Sequence, residues 1–261
     1  METIRFEDLE LDAKIMRAIT DMGFEAASPI QGQAIPLELQ GLDIIGQAQT
    51  GTGKTAAFGI PLLQKIDPKN KKPQAIILCP TRELAIQVSE EIRRLAKYMH
   101  GVKVLPIYGG QEIGRQIRSL KDGVQVIIGT PGRVMDHMRR KTVKMDQIHT
   151  VVLDEADEML NMGFTDSINE ILAAIPENRN MLLFSATMPK EIASITKKYM
   201  KDPKEIVIGR KNEGNKNIRD IYYMVRAQDK YLALKRLADY YPNIYGIIFC
   251  RTRKETQEIA D

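Results

Sequence analysis

Apolar runs of four to six residues alternate along this chain with longer segments of helical period. That is the pattern of a parallel sheet whose strands are joined by crossover helices. The runs at 43–46, 75–79, 103–108, 124–129, 150–153, 181–185 and 205–208 are the candidate strands. Several are apolar at nearly every position, as strands covered on both faces must be. Between them, the segment 83–99 carries Leu84, Val88, Ile92 and Leu95 on one stripe, which predicts an amphipathic helix. Pro189-Lys190-Glu191 opens another, running to about Met200. The fold class is α/β.

The first strand runs into Ala48-Gln49-Thr50-Gly51-Thr52-Gly53-Lys54-Thr55 and then into helix formers beginning Ala56-Ala57-Phe58. Strand, glycine-rich loop and helix in that order make a phosphate-binding context. Gly51 and Gly53 let backbone N–H groups turn inward around a polyanion, and the helix N-terminus adds the positive end of its dipole. Lys54 can reach the β/γ-phosphates as a point charge, and the Thr55 hydroxyl can ligate a Mg²⁺ that arrives with the nucleotide. Ala48 stands where the usual pattern begins with Gly. A nucleoside triphosphate site is the resulting hypothesis, against the alternative of a Gly-rich turn that merely caps a helix.

A chain of 261 residues can bury one large core, or one domain and part of another. No apolar run approaches the roughly 18 residues needed to span a bilayer. The start, Met1-Glu2-Thr3-Ile4-Arg5-Phe6-Glu7-Asp8, lacks the basic-then-apolar order of a signal peptide, so a cytoplasmic protein with no membrane role is expected. Cys79 and Cys250 each end an apolar run and share no metal-ligand spacing. They are predicted to be buried strand residues in a reducing compartment, with neither a disulfide nor a zinc site. His100, His137 and His149 are scattered without partners at ligand spacing, as surface or core residues are. A net charge of +4 permits nucleic-acid binding without demanding it.

Gly209-Arg210-Lys211-Asn212-Glu213-Gly214-Asn215-Lys216-Asn217 contains no apolar side chain and reads as a linker. It divides the chain into 1–208, 209–217 and 218–261. After it come a predicted strand at 218–225, a helix at 230–240, a strand at 245–249 and a helix opening at 254–261. These 44 residues begin a strand-helix-strand unit and cannot close a parallel sheet of their own, so a truncated second domain is expected.

Val151-Val152-Leu153 runs directly into Asp154-Glu155-Ala156-Asp157, setting two adjacent carboxylates at the C-terminal end of a buried strand. Doubly wound sheets bind ligands at that edge. Asp154 is placed to hold Mg²⁺, and Glu155 to orient or deprotonate an attacking water. Alone, the cluster would read equally well as an acidic helix cap. Around it stand Pro80-Thr81-Arg82-Glu83-Leu84-Ala85, Gly109-Gly110, Thr130-Pro131-Gly132-Arg133 and Ser185-Ala186-Thr187. Upstream lie Gly23-Phe24 and Ser28-Pro29-Ile30-Gln31, with Phe6 seventeen residues before Gly23. In this order the motifs resemble those of the DEAD-box ATP-dependent RNA helicases, the upstream group resembling the adenine-sensing Q motif with Ser28 where Thr is more usual. The resemblance covers roughly 6–252. It implies a RecA-like P-loop domain with its Q motif at 6–31, followed by the start of a second RecA-like domain.

That resemblance implies ATP and Mg²⁺ as cofactors and RNA as partner. It assigns Gln49, Thr50, Gly51, Thr52, Gly53, Lys54 and Thr55 to the phosphates, and Lys54, Asp154 and Glu155 to catalysis. Thr55 and Asp154 go to the metal, and Phe6, Phe24 and Gln31 to adenine. The Gln31 amide, donor and acceptor both, suits N6 and N7 of adenine and rejects guanine. Phe24 or Phe6 can stack on the ring, although an aromatic near a chain start is as well read as core packing. Thr81, Arg82, Gly110, Thr130, Gly132 and Arg133 correspond to RNA-backbone contacts, which bind phosphate and 2′-hydroxyl without reading sequence. Isolated, the two arginines would read as solvated or salt-bridged. With no Trp and no aromatic ladder, a base-stacking platform is not expected. Ser185 and Thr187 can bond Asp157 and couple the metal site to RNA-bound loops; a plain strand-end turn is the alternative. Arg139-Arg140-Lys141 with Lys144, and Lys69 with Lys71 and Lys72, read as solvated loops.

The implied activity is ATP-driven local unwinding or remodelling of RNA duplexes, ATP and RNA jointly closing two RecA-like domains. The family's second lobe supplies arginines to the transferring phosphoryl group from motifs expected beyond Asp261. This chain is therefore expected to bind nucleotide and hydrolyse it hardly at all. Two other readings share these motifs: an ATP-gated clamp that holds RNA as a platform, and a P-loop ATPase acting on DNA or protein, against which the loops at 80–85 and 130–133 weigh. A monomer is expected, and no protein partner is indicated.

Overall fold

The seven apolar runs become seven short strands of one sheet: β1 Ile44–Gln47, β2 Ala75–Leu78, β3 Val104–Ile107, β4 Val126–Gly129, β5 Thr150–Leu153, β6 Asn180–Ser185 and β7 Lys204–Val207. The structure is a computed structural model that describes residues 4–49, 51–208, 219 and 221–261; Thr50 and the linker 209–217 lie outside the described residues. Lateral order is β3-β4-β2-β5-β6-β1-β7, and every pairing is parallel.

Apart from the edge strand β7, where only Ile206 is buried, the strands alternate their side chains between two cores. Ile44, Ile77, Leu182 and Phe184 point to one face, where they pack with α1 (Ala13–Asp21), α2 (Pro29–Leu39), α3 (Lys54–Gln64) and α4 (Arg82–Leu95). Their neighbours Ile45, Ile76, Met181 and Leu183 point to the other. There they meet α6 (Pro131–Arg139), α7 (Ala156–Asn161), α8 (Thr165–Ala173) and α9 (Lys190–Tyr199), while α5 (Ile113–Lys121) adds Leu120 at the margin. Each fully buried Ile or Leu contributes roughly 1.5–3 kcal/mol to this arrangement.

Helix α4 stops at Leu95, short of the predicted 99. Its end tightens, the Lys97 N–H bonding the Arg94 carbonyl at 3.2 Å, and Gly101 then turns the chain at φ +93°.

By contact density the chain divides into Met1–Glu213 and Gly214–Asp261. In the second unit the two predicted helices form, as α10 (Lys230–Tyr240) and α11 (Arg253–Ala260). The two predicted strands do not: the described residues of 221–225 and 245–249 join no ladder. A helix closes its hydrogen bonds within itself, whereas a strand needs a neighbour. Cys250 is accordingly half-exposed rather than a buried strand residue, while Cys79 is buried; both are free thiols. Among the described residues no helix is long and apolar enough to cross a membrane.

Candidate functional site

Because all strands run one way, their C-terminal ends share one edge, and every motif from the glycine-rich loop to Thr187 follows a strand there. Strand order then sorts the motifs into two groups. The loops after β3, β4 and β2 are neighbours and carry Gly110, then Thr130, Gly132 and Arg133, then Thr81 and Arg82. The loops after β5, β6 and β1 are neighbours too, carrying Asp154 to Asp157, Ser185 to Thr187 and the glycine-rich loop. Along the chain the first group is contiguous, and the second is split to either side of it.

The glycine-rich loop turns through Gly51 at φ +81° and Gly53 at φ +89°, the latter capping α3. A Cβ on Gly53 would lie 2.5 Å from Gln31 Nε2, so a side chain there would have to displace the Gln31 amide as well as adopt a left-handed backbone. Gln31, 5% exposed, donates from Nε2 to the Gly53 carbonyl at 3.1 Å and accepts the Ser28 N–H on Oε1 at 2.9 Å. Ser28 Oγ donates to the Thr52 carbonyl at 2.8 Å. The amide expected to face a base is thus bonded at both ends to protein, and the segment before α2 braces the loop. Thr52 Oγ1 donates to the Gln49 carbonyl at 2.9 Å, and the buried Lys54 ammonium to the Ala48 carbonyl at 3.3 Å. Phe6 is buried in the core, stacked on Phe24 with ring centroids 6.1 Å apart, which leaves the half-buried Phe24 as the aromatic nearer the surface.

Asp154 is buried at the end of β5, and burial pushes its carboxyl up to about 6 against the pull of the Lys54 charge. Glu155 caps α7 from the left-handed region, φ 51° and ψ 52°, a conformation that costs a non-glycine residue roughly 1–3 kcal/mol. The Asp157 carboxylate accepts both the N–H and the hydroxyl of Thr187, at 2.9 and 2.8 Å. Its own N–H donates to Ser185 Oγ at 3.3 Å. Burial raises Asp157, yet these hydrogen bonds outweigh it and hold the carboxyl below its ordinary value. The bonds expected between Asp157, Ser185 and Thr187 are therefore in place. Sequence reasoning missed Glu91 on α4, whose carboxyl burial raises while the Thr55 hydroxyl and the Arg94 charge oppose the rise; a charged residue within an amphipathic helix carries no signal of such surroundings.

On the other half of the edge, Thr81 caps α4 by accepting the Leu84 N–H at 3.2 Å. Arg82 is exposed with its guanidinium 5.1 Å over the Tyr108 ring, and Gly110, at φ +77°, lies beside it. Arg133 differs. Its side chain is 12% exposed, and both terminal nitrogens donate to the Gln111 carbonyl at 3.2 Å. The basic residues at 139–141 and Lys144 are exposed, as are Lys69, Lys71 and Lys72, the last paired with Asp146 at 2.9 Å.

Among the described residues no group of three or more His, Cys, Asp or Glu side chains gathers as a metal site. The DEAD/DEAH box helicase family model matches residues 28–195. The chain is 51% identical over 259 residues to the DEAD-box ATP-dependent RNA helicase CshA of Bacillus subtilis, an alignment spanning 99% of this chain and 52% of that protein. Against the ATP-dependent RNA helicase CshA of Listeria monocytogenes it is 50% identical, over 98% of this chain and 49% of that protein. It spans about half the length of these curated relatives. The crystal structure of a DEAD box protein from the hyperthermophile Methanococcus jannaschii superposes with a TM-score of 0.76 at 44% identity, covering all of this chain and 70% of that one. With these relatives and an all-parallel RecA-like sheet carrying its motifs on one edge, the chain belongs to the DEAD/DEAH box helicase family.

Proposed function

We propose that the chain is the nucleotide-binding lobe, 1–208, a linker, 209–217, and the opening of a second lobe, 218–261, of an ATP-dependent RNA helicase that locally unwinds or remodels duplexes. The observation that carries this reading is the division of the sheet edge into two adjacent halves. On one half, Lys54 and the backbone N–H groups from Gln49 to Thr55 hold the β- and γ-phosphates, while Gln31, Ser28 and Phe24 tie the adenine side to the same loop. Glu155 orients the attacking water. The Thr55 hydroxyl and the desolvated Asp154 carboxylate are hard oxygen donors that fit Mg²⁺. The remaining ligands then come from phosphate and water, since no third carboxylate or imidazole joins them in a cluster among the described residues. The ion, when bound, neutralises charge on the phosphates.

On the other half, Thr81, Arg82, Gly110, Thr130 and Gly132, with Arg133, bind RNA through its backbone. Within the nucleotide half, Asp157 is bonded to Ser185 and Thr187, the hydroxyls that would couple the metal site to RNA-bound loops. Two ligands that both favour a closed arrangement of lobes each raise the other's affinity. Charge on the transferring phosphoryl group calls for arginines from a complete second lobe, a contribution of about 10³ to 10⁵ in rate. ATP hydrolysis, with and without single-stranded RNA, is the test, on this chain and on the chain extended through a complete second lobe. The extended chain is expected to turn over with RNA stimulation and this chain hardly at all. Robust RNA-stimulated turnover by the 261 residues alone would refute the split site. An extended chain that binds both ligands and stays inert would favour an ATP-gated RNA clamp.

A further inference from the structure

Behind the RNA half of the edge lies a buried hydrogen-bond network that the reading above does not use. Gln116 on α5 is 3% exposed and His137 on α6 is fully buried. Gln116 Nε2 donates to the Tyr108 carbonyl just beyond β3 at 3.2 Å. Its Oε1 takes two donors, His137 Nε2 at 2.9 Å and an Arg133 terminal nitrogen at 3.3 Å. Since an amide oxygen only accepts, His137 carries its proton on Nε2, and its Nδ1 faces the Thr142 hydroxyl at 2.8 Å. Burial and the nearby Arg133 charge lower the imidazole to about 4, so the ring is neutral at pH 7. Arg133 completes the chain of bonds by gripping the Gln111 carbonyl.

One side chain thus joins three pieces: the loop after β3, helix α5 and the first turn of α6. At their base the two loops are joined by the Thr130 N–H, which donates to the Ile107 carbonyl at 3.0 Å, but further out the backbone is open. A Cβ built on Gly109 or Gly132 meets no atom within 4 Å, and one on Gly110 meets only the Arg82 guanidinium at 3.5 Å. Such open backbone admits a sugar-phosphate chain, and beyond that base bond no packing at these three glycines fixes one loop against the other.

We propose that Gln116 is a positioning residue: backed by His137, it holds the Arg133 guanidinium on the Gln111 carbonyl and so sets the spacing of the Gly110 and Thr130–Gly132 backbone against RNA phosphates. This rests on the RNA reading of the edge. Arg133 then acts on RNA through the loop it grips, consistent with a side chain turned inward. An apolar side chain of similar length at 116 fills the volume yet leaves the Tyr108 carbonyl, the His137 N–H and an Arg133 donor without their partner.

RNA-stimulated ATP hydrolysis by the chain extended through a complete second lobe, with a single-stranded oligoribonucleotide as probe, tests the assignment. Gln116→Met is expected to raise the RNA concentration for half-maximal stimulation about tenfold, with KM for ATP and kcat at saturating RNA within about twofold. Gln116→Glu keeps oxygen acceptors for His137 and Arg133 and is expected to recover most of that loss. A folded Gln116→Met protein with unchanged half-saturating RNA overturns the proposal, as does an equal shift in KM for ATP. Should Gln116→Met not fold, Arg133→Lys decides. It keeps the charge and loses the two-pronged grip, so the same rise is expected, and wild-type RNA affinity overturns the proposal. A wild-type protein that RNA does not stimulate fails the functional reading itself and takes this assignment with it.

Discussion

Glu38 is a carboxyl sealed inside the protein, fully buried with neither side-chain oxygen hydrogen-bonded. Lys65, beside it, donates instead to the Glu38 backbone carbonyl at 2.7 Å and to Asn180 Oδ1 at 2.8 Å. Burial pushes the Glu38 carboxyl well above its ordinary range, the Lys65 charge opposing only in part. A group raised in the folded state binds its proton more tightly there than when unfolded. Stability is then lost as pH rises from the unfolded value, about 4.3, through the raised folded one. Glu38→Met is accordingly expected to stabilise the protein by about 1–3 kcal/mol at pH 8 and by less at pH 4.5. Urea unfolding at the two pH values checks this, and a gain that does not grow with pH would show that the carboxyl is not the cause.

Elements here are held by burial where local rules would break them. Helix α2 carries Pro36 and α3 carries Pro61, each an interruption of the helical hydrogen-bond ladder. Both persist because they are packed; α3 is buried on nearly every side. The glycines between elements mark where packing leaves no room. A Cβ on Gly129, the last residue of β4, would lie 2.8 Å from the Ile107 carbonyl oxygen and 2.8 Å from Val134 Cγ2. Strand propensity favours almost any residue over glycine there, yet the neighbouring backbone cannot yield. Gly129→Ala is expected to destabilise by about 1–3 kcal/mol, read from chemical denaturation; a neutral or stabilising result would mean that β3 and α6 can part.

At the scale of the molecule, the two units differ in what they bury. The first encloses two apolar cores, one on each face of the sheet. In Gly214–Asp261, large apolar side chains lie open: Tyr222 is 85% exposed, and Met224 and Phe249 are each 90% exposed. Surface of this kind binds hydrophobic dyes and favours association. Removing 214–261 is expected to cut fluorescence of a bound hydrophobic dye severalfold. The unfolding midpoint of the remainder should move by no more than about 2 °C. A midpoint that collapses would mean that the first unit depends on the second for its stability.

The sequence by itself determined the α/β class, the location of all seven strands of the sheet, the glycine-rich loop and the acidic tetrapeptide. Side-chain period and loop composition are local properties, and a strand–loop–helix order suffices to aim each motif at the C-terminal edge. It also pointed to the bonds of Asp157 with Ser185 and Thr187, although only through family resemblance. Tertiary structure decided the rest. Lateral strand order brings the glycine-rich loop beside the motifs after β6 and β5, from which the chain separates it by the whole of the other group, and no local pattern encodes which strand lies beside which. Packing turned Arg133 inward and bonded both ends of the Gln31 amide, and it joined Gln116 to His137 across 21 residues. The runs at 221–225 and 245–249 remain unpaired for the same reason. A strand is made by its neighbour, and a hydrogen-bond partner far along the chain is chosen only when the whole sheet has assembled.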